Sequence, residues 1–181
     1  MVEAGFSLFE TAIGCCSLAF GPDGLLGVQL PDASPAALRR RMKRLFPHLS
    51  EQSPTPAAEA AIVAIRALLA GEKRDLAEIR LDMRGIPEFN AAVYAIARSI
   101  PPGDTLTYGE VASRLDQPGA AQAVGQALGQ NPFTIVVPCH RVLAANGRTG
   151  GFSAYGGTET KMRMLRIEGA PAAAQLSLFG D

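Results

Sequence analysis

Cysteine and histidine are scarce in this sequence. Its three cysteines, Cys15, Cys16 and Cys139, are an odd number with spacings that do not suit a disulfide framework, so a reducing, cytoplasmic compartment is expected. The two histidines, His48 and His140, form no HxxxH pair, and no CxxC occurs. A structural zinc site is therefore not expected, and no cofactor is implied. An excess of charge of either sign is also missing: the formal net charge is zero, with ten Lys/Arg and ten Asp/Glu in residues 1–85 and seven of each beyond. Any nucleic-acid binding must then come from local placement of a few cations and helix N-termini. No run of about 18 apolar residues exists; the best candidate, residues 57–70, is interrupted by Glu59 and Arg66, and no membrane span is expected. The N-terminus lacks a basic-then-apolar leader pattern. What is present is 48% hydrophobic and 19% charged residues over 181 positions, which argues against disorder and allows one mid-sized domain or two small ones.

The first part of the chain reads as an α/β domain. Residues 6–9, 13–20 and 25–30 are short apolar runs separated by Gly14 and by Gly21-Pro22-Asp23-Gly24, the pattern of an antiparallel meander. A helix is expected over 35–46, with Ser34 as N-cap and Pro35 at its first position. Its Arg39, Arg40, Arg41, Lys43 and Arg44 are either a phosphate-facing patch or a solvated helix face. Ser50–Pro56 reads as a linker, 57–70 as an Ala-rich helix stopped by Gly71, and 76–81 as a final strand. Cys15 and Cys16 point to opposite faces of their strand, which favours packing over a redox role. Gly85-Ile86-Pro87 marks a domain boundary near residue 85.

The second part is mainly helical. Phe89, Val93, Ile96 and Ala97 recur at helical spacing within 87–99, and Pro101-Pro102-Gly103 ends the pattern. Residues 107–115 form a short helix with Thr107 as N-cap and Glu110 three residues on, a capping box. Residues 118–128 form another, ended by Gly129. Two short helices joined by Asp116-Gln117-Pro118-Gly119 fit a helix-turn-helix, a pattern that ordinary helical hairpins share.

The chemistry is concentrated in the stretch from Asn131 to Val142. A β-branched run ends in Pro138, followed by Cys139-His140-Arg141. A lone cysteine is commonly a core residue, but His and Arg neighbours can lower a thiol pKa and supply the thiolate. On local grounds both readings stand.

Pro138-Cys139-His140-Arg141 resembles the active-site signature of the O6-alkylguanine-DNA alkyltransferases. Thr107-Tyr108-Gly109-Glu110-Val111-Ala112, Ala120-Ala121-Gln122-Ala123-Val124-Gly125, Asn131-Pro132 and Lys161 through Glu168-Gly169 follow in the family's order and spacing. The resemblance covers residues 86–170. It implies a 1–85 α/β domain (small antiparallel sheet with helices, ribonuclease-H-like), an 86–170 winged-helix or helix-turn-helix alkyltransferase domain, and a flexible 171–181 tail. Residues 1–85 lack the Cys/His set that binds zinc in some relatives.

The resemblance further implies direct-reversal DNA repair: stoichiometric, irreversible transfer of an alkyl group from O6-alkylguanine, or O4-alkylthymine, in double-stranded DNA to Cys139 after nucleotide flipping. Cys139 is then the nucleophile, His140 its base through a bridging water, Glu168 the group that orients His140, and Tyr108 the donor to the departing guanine. Asn131 would hold the turn presenting a Cys-His strand, and Arg141 would bind backbone carbonyls or a charged neighbour. Ala121, Ala123 and Gly125 permit close approach to the minor groove, while Ser153 and Tyr155 in the 150–157 loop are candidates for contacts to the base. The chain departs from the family at Gln122, where an arginine is expected to fill the gap left by the flipped base. It departs again at Tyr155, where a smaller residue is expected, which leaves the accepted alkyl size open.

The last residues, Gln175-Leu176-Ser177-Leu178-Phe179, follow a Gly/Ala/Pro linker. They resemble the short motif by which bacterial proteins bind the replication sliding clamp, with Gln175, Leu176, Leu178 and Phe179 as the docking side chains. The other reading is a C-terminal strand packed on the protein itself. A monomer is expected. Two other functions remain: a non-catalytic alkylguanine-binding damage sensor, which relatives achieve by replacing the nucleophilic cysteine, and a cysteine hydrolase, which needs an oxyanion site that the sequence does not indicate.

Overall fold

A computed structural model describes residues 3–152 and 154–176. The chain divides into two compact units, Met1–Arg84 with Pro132–Val136, and Gly85–Asn131 with Val137–Asp181.

The first unit is built on an antiparallel sheet in the order β1-β2-β3, with β1 Gly5–Thr11, β2 Gly14–Gly21 and β3 Gly24–Gln29. The register pairs Phe6 with Ala19 and Phe9 with Cys16, so these two pairs point to opposite faces. Helix α1 (Pro35–Leu45) covers the Phe6/Ala19 face through Met42. Helix α2 (Pro56–Leu69) packs on β1 and β3, and its Arg66 lies 5.8 Å over the Phe9 ring. Being covered on both faces, β2 is almost continuously buried rather than alternating. Both helices begin as their sequences dictate: Ser34 and Thr55 accept from the amides of Ala37 and Ala58, with proline at the first helical position.

Residues 76–81 are not the strand that their alternation suggested. Only Leu81 forms a bridge, to Leu25. The Asp75 carboxylate accepts from the Ala77 amide and Ile79 N–H donates to Leu76, so the backbone curls into turns while Leu76 and Ile79 stay buried. The β-branched run after Asn131 is not a strand either. It forms one bridge, Val28 to Phe133, and Ile135 has φ 76°, a left-handed backbone that breaks any ladder.

The second unit is mainly helical: α3 Glu88–Arg98, α4 Tyr108–Arg114, α5 Ala121–Gly129, α6 Gly157–Ile167 and α7 Pro171–Leu176. A two-residue parallel pair, β4 Leu106–Thr107 and β5 Val142–Leu143, also belongs to it. The capping box fixes the start of α4, with Glu110 N–H donating to Thr107 Oγ1 (3.1 Å) and Thr107 N–H to Glu110 Oε2 (2.7 Å). Between α4 and α5, Asp116 takes φ 58°, a conformation that Asp tolerates better than most residues, and α5 starts at Ala121 rather than 118. The two helices pack on each other and on α3, where the buried Tyr94 hydroxyl donates to Ala127 O at 2.8 Å.

The chain after Ala170 is helical up to Leu176, not the flexible linker expected. Pro171 opens α7, alanines favour helix, and Ala170 and Ala173 are buried against Leu143, Met162 and Leu165. No helix among the described residues is long and apolar enough to cross a membrane.

Candidate active site

Cys139 is presented by a tight backbone device rather than by the strand expected. Pro138 has φ −80° and ψ 68°, the inverse γ-turn geometry, and Cys139 N–H donates back to Val137 O at 2.8 Å. Proline favours this turn because its ring already holds φ near that value. A 3-10 turn, Cys139–Arg141, follows directly, with Arg141 N–H on Pro138 O at 2.9 Å. Asn131 braces the device from outside: its Nδ2 donates to Val137 O at 3.0 Å, and its side chain also hydrogen-bonds Cys139.

The next two residues converge on one carboxylate. His140 Nε2–H donates to Glu168 Oε1 at 2.7 Å. Arg141 grips the same group twice, Nε to Oε2 at 2.9 Å and Nη2 to Oε1 at 2.8 Å, and sends Nη1 to Ile100 O at 2.6 Å. Glu168 reaches them from the end of α6, where Gly169 adopts φ 71° and terminates the helix. All three side chains are buried.

Ionisation follows from this geometry. Burial pushes the Glu168 carboxyl up, but the bonds from His140 and Arg141 prevail and hold it down at about 2. Burial lowers the His140 pKa against the pull of Glu168, so the imidazole is neutral. With the Nε2 proton committed to Glu168, Nδ1 carries the free lone pair, and this buried atom has no protein partner. Cys139, only 8% exposed, does not have the lowered pKa that its His and Arg neighbours suggested. Burial raises it, outweighing the Asn131 hydrogen bond and the Lys161 charge. The Arg141 guanidinium is spent on Glu168 and Ile100. The resting thiol is protonated and needs a base.

Lys161 is the member of the site that the sequence reading left without a role. It is 0% exposed, its Nζ donates to Val142 O at 2.8 Å, and burial lowers its pKa to about 8. Nζ lies 6.0 Å from the Tyr108 ring centre and 5.9 Å from that of Phe152. Its helix position, with buried Met162, Met164 and Leu165 on either side of exposed Arg163, was the available signal.

Tyr108, at the start of α4, is half-buried with its phenol pKa raised, first by burial and then by the Cys139 charge. Its ring lies against α5 and the loop that precedes α6. A Cβ on Gly125 would stand 3.8 Å from the ring, and one on Gly150 only 2.6 Å from the hydroxyl, which leaves room for glycine alone at 150.

Other expected residues lie outside this cluster. Gln122 is exposed on α5, with Ala121, Ala123 and Gly125 partly buried beside it. Tyr155 is 56% exposed, and within its loop it is Phe152 that lies near Lys161. Gln175 is exposed on α7. Ser153, Ser177, Leu178, Phe179 and the Leu176 side chain are outside the described residues. In the first unit, Cys16 is buried with its thiol pushed up to about 12, and Cys15 is also raised, in keeping with packing roles.

Fold and site together define a protein of two units, the second carrying a helix-turn-helix and a buried Cys–His–Glu constellation. Residues 88–170 match the family model described as 6-O-methylguanine DNA methyltransferase, DNA binding domain. The methylated-DNA–protein-cysteine methyltransferase of Mycobacterium tuberculosis is 40% identical over 143 residues, covering 78% of this chain and 84% of the relative. A Thermus thermophilus DNA base-flipping protein is 36% identical over 150 residues, covering 80% and 95%. Among solved structures, Mycobacterium tuberculosis OGT in complex with DNA superposes with a TM-score of 0.73 at 33% identity, covering 96% of this chain and 99% of that one. The chain belongs to the methylated-DNA–protein-cysteine methyltransferase family, DNA-binding enzymes that repair DNA by alkyl transfer.

Proposed function

We propose that the protein transfers the alkyl group of O6-alkylguanine in DNA to Cys139 Sγ, once per molecule. The observation that carries this reading is His140: neutral, its Nε2–H fixed on Glu168, and its Nδ1 lone pair buried without a protein partner. A protonated thiol next in sequence needs such a base, and a water between Sγ and Nδ1 would relay the proton. As Sγ attacks the alkyl carbon, an S–C bond forms and the C–O6 bond breaks, with the electron pair leaving on guanine. Tyr108, kept protonated by its raised pKa, donates to the departing ring. The thiol loses one proton and guanine gains one, so the exchange balances. Imidazolium formed at His140 is stabilised by the Glu168 carboxylate, as an orienting acid does in a nucleophile–base–acid chain.

The reacting atom of a duplex base lies inside the stack, so the nucleotide must be flipped out at a cost of about a few kcal/mol. The helix-turn-helix of α4 and α5 is the element that would enter the groove, with the exposed Gln122 facing the orphan base. That OGT was crystallised with DNA, and that a relative is named for base flipping, supports this reading. Thioether formation is irreversible, which makes the protein a single-use reagent. Binding of the lesion without transfer is the second reading; a relative named for base flipping is in keeping with either reading, and the presence of Cys139 weighs against the second. Through Gln175-Leu176-Ser177-Leu178-Phe179 the protein would also dock on the replication sliding clamp. Equal clamp binding by the full chain and by one ending at Pro171 would remove that docking role.

Intact-protein mass after mixing with duplex DNA carrying one O6-methylguanine tests the main reading. Wild type is expected to gain roughly 14 Da, at most once per chain, and Cys139→Ser nothing. Tight lesion binding with no mass gain would establish the second reading instead.

A further inference from the structure

Helix α1 carries five cations and no carboxylate between Pro35 and Leu45. The structure sorts them into two kinds. Leu38 and Met42 define the buried face. Arg39 and Arg41 flank it and are both neutralised. Arg39 grips Glu51 with Nε at 2.5 Å and Nη2 at 3.0 Å, and Arg41 Nη2 meets Asp32 at 2.7 Å. Arg40, Lys43 and Arg44 project from the opposite side of the helix, all exposed, and none has an ion-pair partner among the described residues. Lys43 is felt only as a charge at Glu51, which Arg39 already holds.

Two ordinary explanations fall short. Cations in a last turn complement the helix dipole, which accounts for Lys43 and Arg44 but not for Arg40 in mid-helix. General basicity does not apply, because residues 1–85 hold as many acids as bases; the acids have been placed elsewhere. A membrane surface would require apolar side chains among the cations; the outward face offers only Ala36 and Ala37, and the exposed Leu45 at the helix end lies on the side of Leu38 and Met42. Arg40 and Arg44 are one turn apart, about 6 Å along the axis, with Lys43 between them. Three long cationic side chains in one arc fit the anionic rail of a nucleic-acid strand, and the family to which the chain belongs binds DNA.

We propose that the outward face of α1 is a second DNA-contacting surface, in which Arg40, Lys43 and Arg44 bind backbone phosphates without reading sequence. The surface adds affinity and salt dependence and leaves the transfer chemistry untouched.

The test compares wild type with Arg40→Gln/Lys43→Gln/Arg44→Gln, binding undamaged duplexes between 50 and 200 mM salt, values chosen as roughly the range over which phosphate contacts are read out. One duplex spans little more than a helical turn and the other several turns. Each lost phosphate contact should reduce the slope of log affinity against log salt by about 0.9, so a reduction of about 2 to 3 is expected, with affinity at low salt down at least roughly tenfold. Reduction on both duplexes places the face on the strand bound by a single copy. Reduction on the long duplex alone places it on flanking DNA. An unchanged slope on both overturns the proposal. Transfer from free O6-benzylguanine, which has no phosphate, should be equal in the two proteins and reports that the variant is folded. A wild type inert toward that base would show that the pocket excludes the benzyl group; equal urea unfolding midpoints then report that the variant is folded, and the salt-slope result stands.

Discussion

Arg141 and Glu168 are joined by two parallel charge-assisted hydrogen bonds, 2.9 and 2.8 Å, both side chains buried and 27 residues apart in sequence. The carboxylate oxygen taken by Nη2 also accepts from His140. One carboxylate thus neutralises a buried guanidinium and selects an imidazole tautomer. Glu168→Gln removes both functions. Breaking a buried pair from one side leaves an uncompensated charge, so a loss of about 3–5 kcal/mol is expected in denaturant unfolding. Single-turnover transfer should slow even where the variant is fully folded. Unaltered transfer in a folded Glu168→Gln protein would remove Glu168 from the mechanism.

Stability should depend on acid in two stages. The folded His140 pKa lies below its ordinary 6.5, so beneath that pH the unfolded chain takes up a proton that the native state refuses, and stability falls as pH drops. The Glu168 carboxyl, held at about 2 against an ordinary 4.5, contributes stability fully present above 4.5 and lost as pH falls toward 2. Urea unfolding across this range should show both segments, with His140→Gln abolishing the upper one and Glu168→Gln the lower.

Lys161 carries the opposite liability. Burial lowers its pKa from 10.5 to about 8, a penalty of roughly 3 kcal/mol on the charged form. Stability should therefore rise between pH 8 and 10.5, where the unfolded chain alone keeps the proton, and Lys161→Met should remove that rise. The same ammonium lowers the Cys139 pKa. Transfer by Lys161→Met should be slower than wild type below pH 8, and the difference should shrink above it.

Gln122 is an exposed side chain of α5, at the position where the family resemblance places an arginine. Gln122→Arg adds a charge and a stacking plane. At limiting lesion DNA it should bind and transfer faster, by about tenfold for each 1.4 kcal/mol gained, while transfer from a free alkylguanine base stays the same. Equal rates on DNA would show that glutamine already suffices.

What the sequence revealed was mostly local. Ser34, Thr107 and Glu110 announce helix starts because their hydrogen bonds close within three residues. Pro138 through Arg141 mark the site but not its form: the β-branched run before it suggests a strand, whereas Pro138 makes an inverse γ-turn and the segment from Pro132 to Val136 belongs to the first unit. Residues 76–81 failed for a related reason, since one Asx hydrogen bond from Asp75 overrode their alternation. Arg141 does bind a backbone carbonyl and a charged neighbour, as the family resemblance implied, but local pattern alone does not reach its partner 27 residues away, nor the Val142 carbonyl 19 residues from the buried Lys161.

The protonated state of Cys139 also bears on shelf life. Dissolved oxidants and electrophiles attack thiolates at sites they can enter, and here the sulfur is both capped by its proton and nearly enclosed. On the proposed single-turnover chemistry, a thiolate would be lost to stray small molecules, whereas a protonated and nearly enclosed sulfur is kept for the lesion.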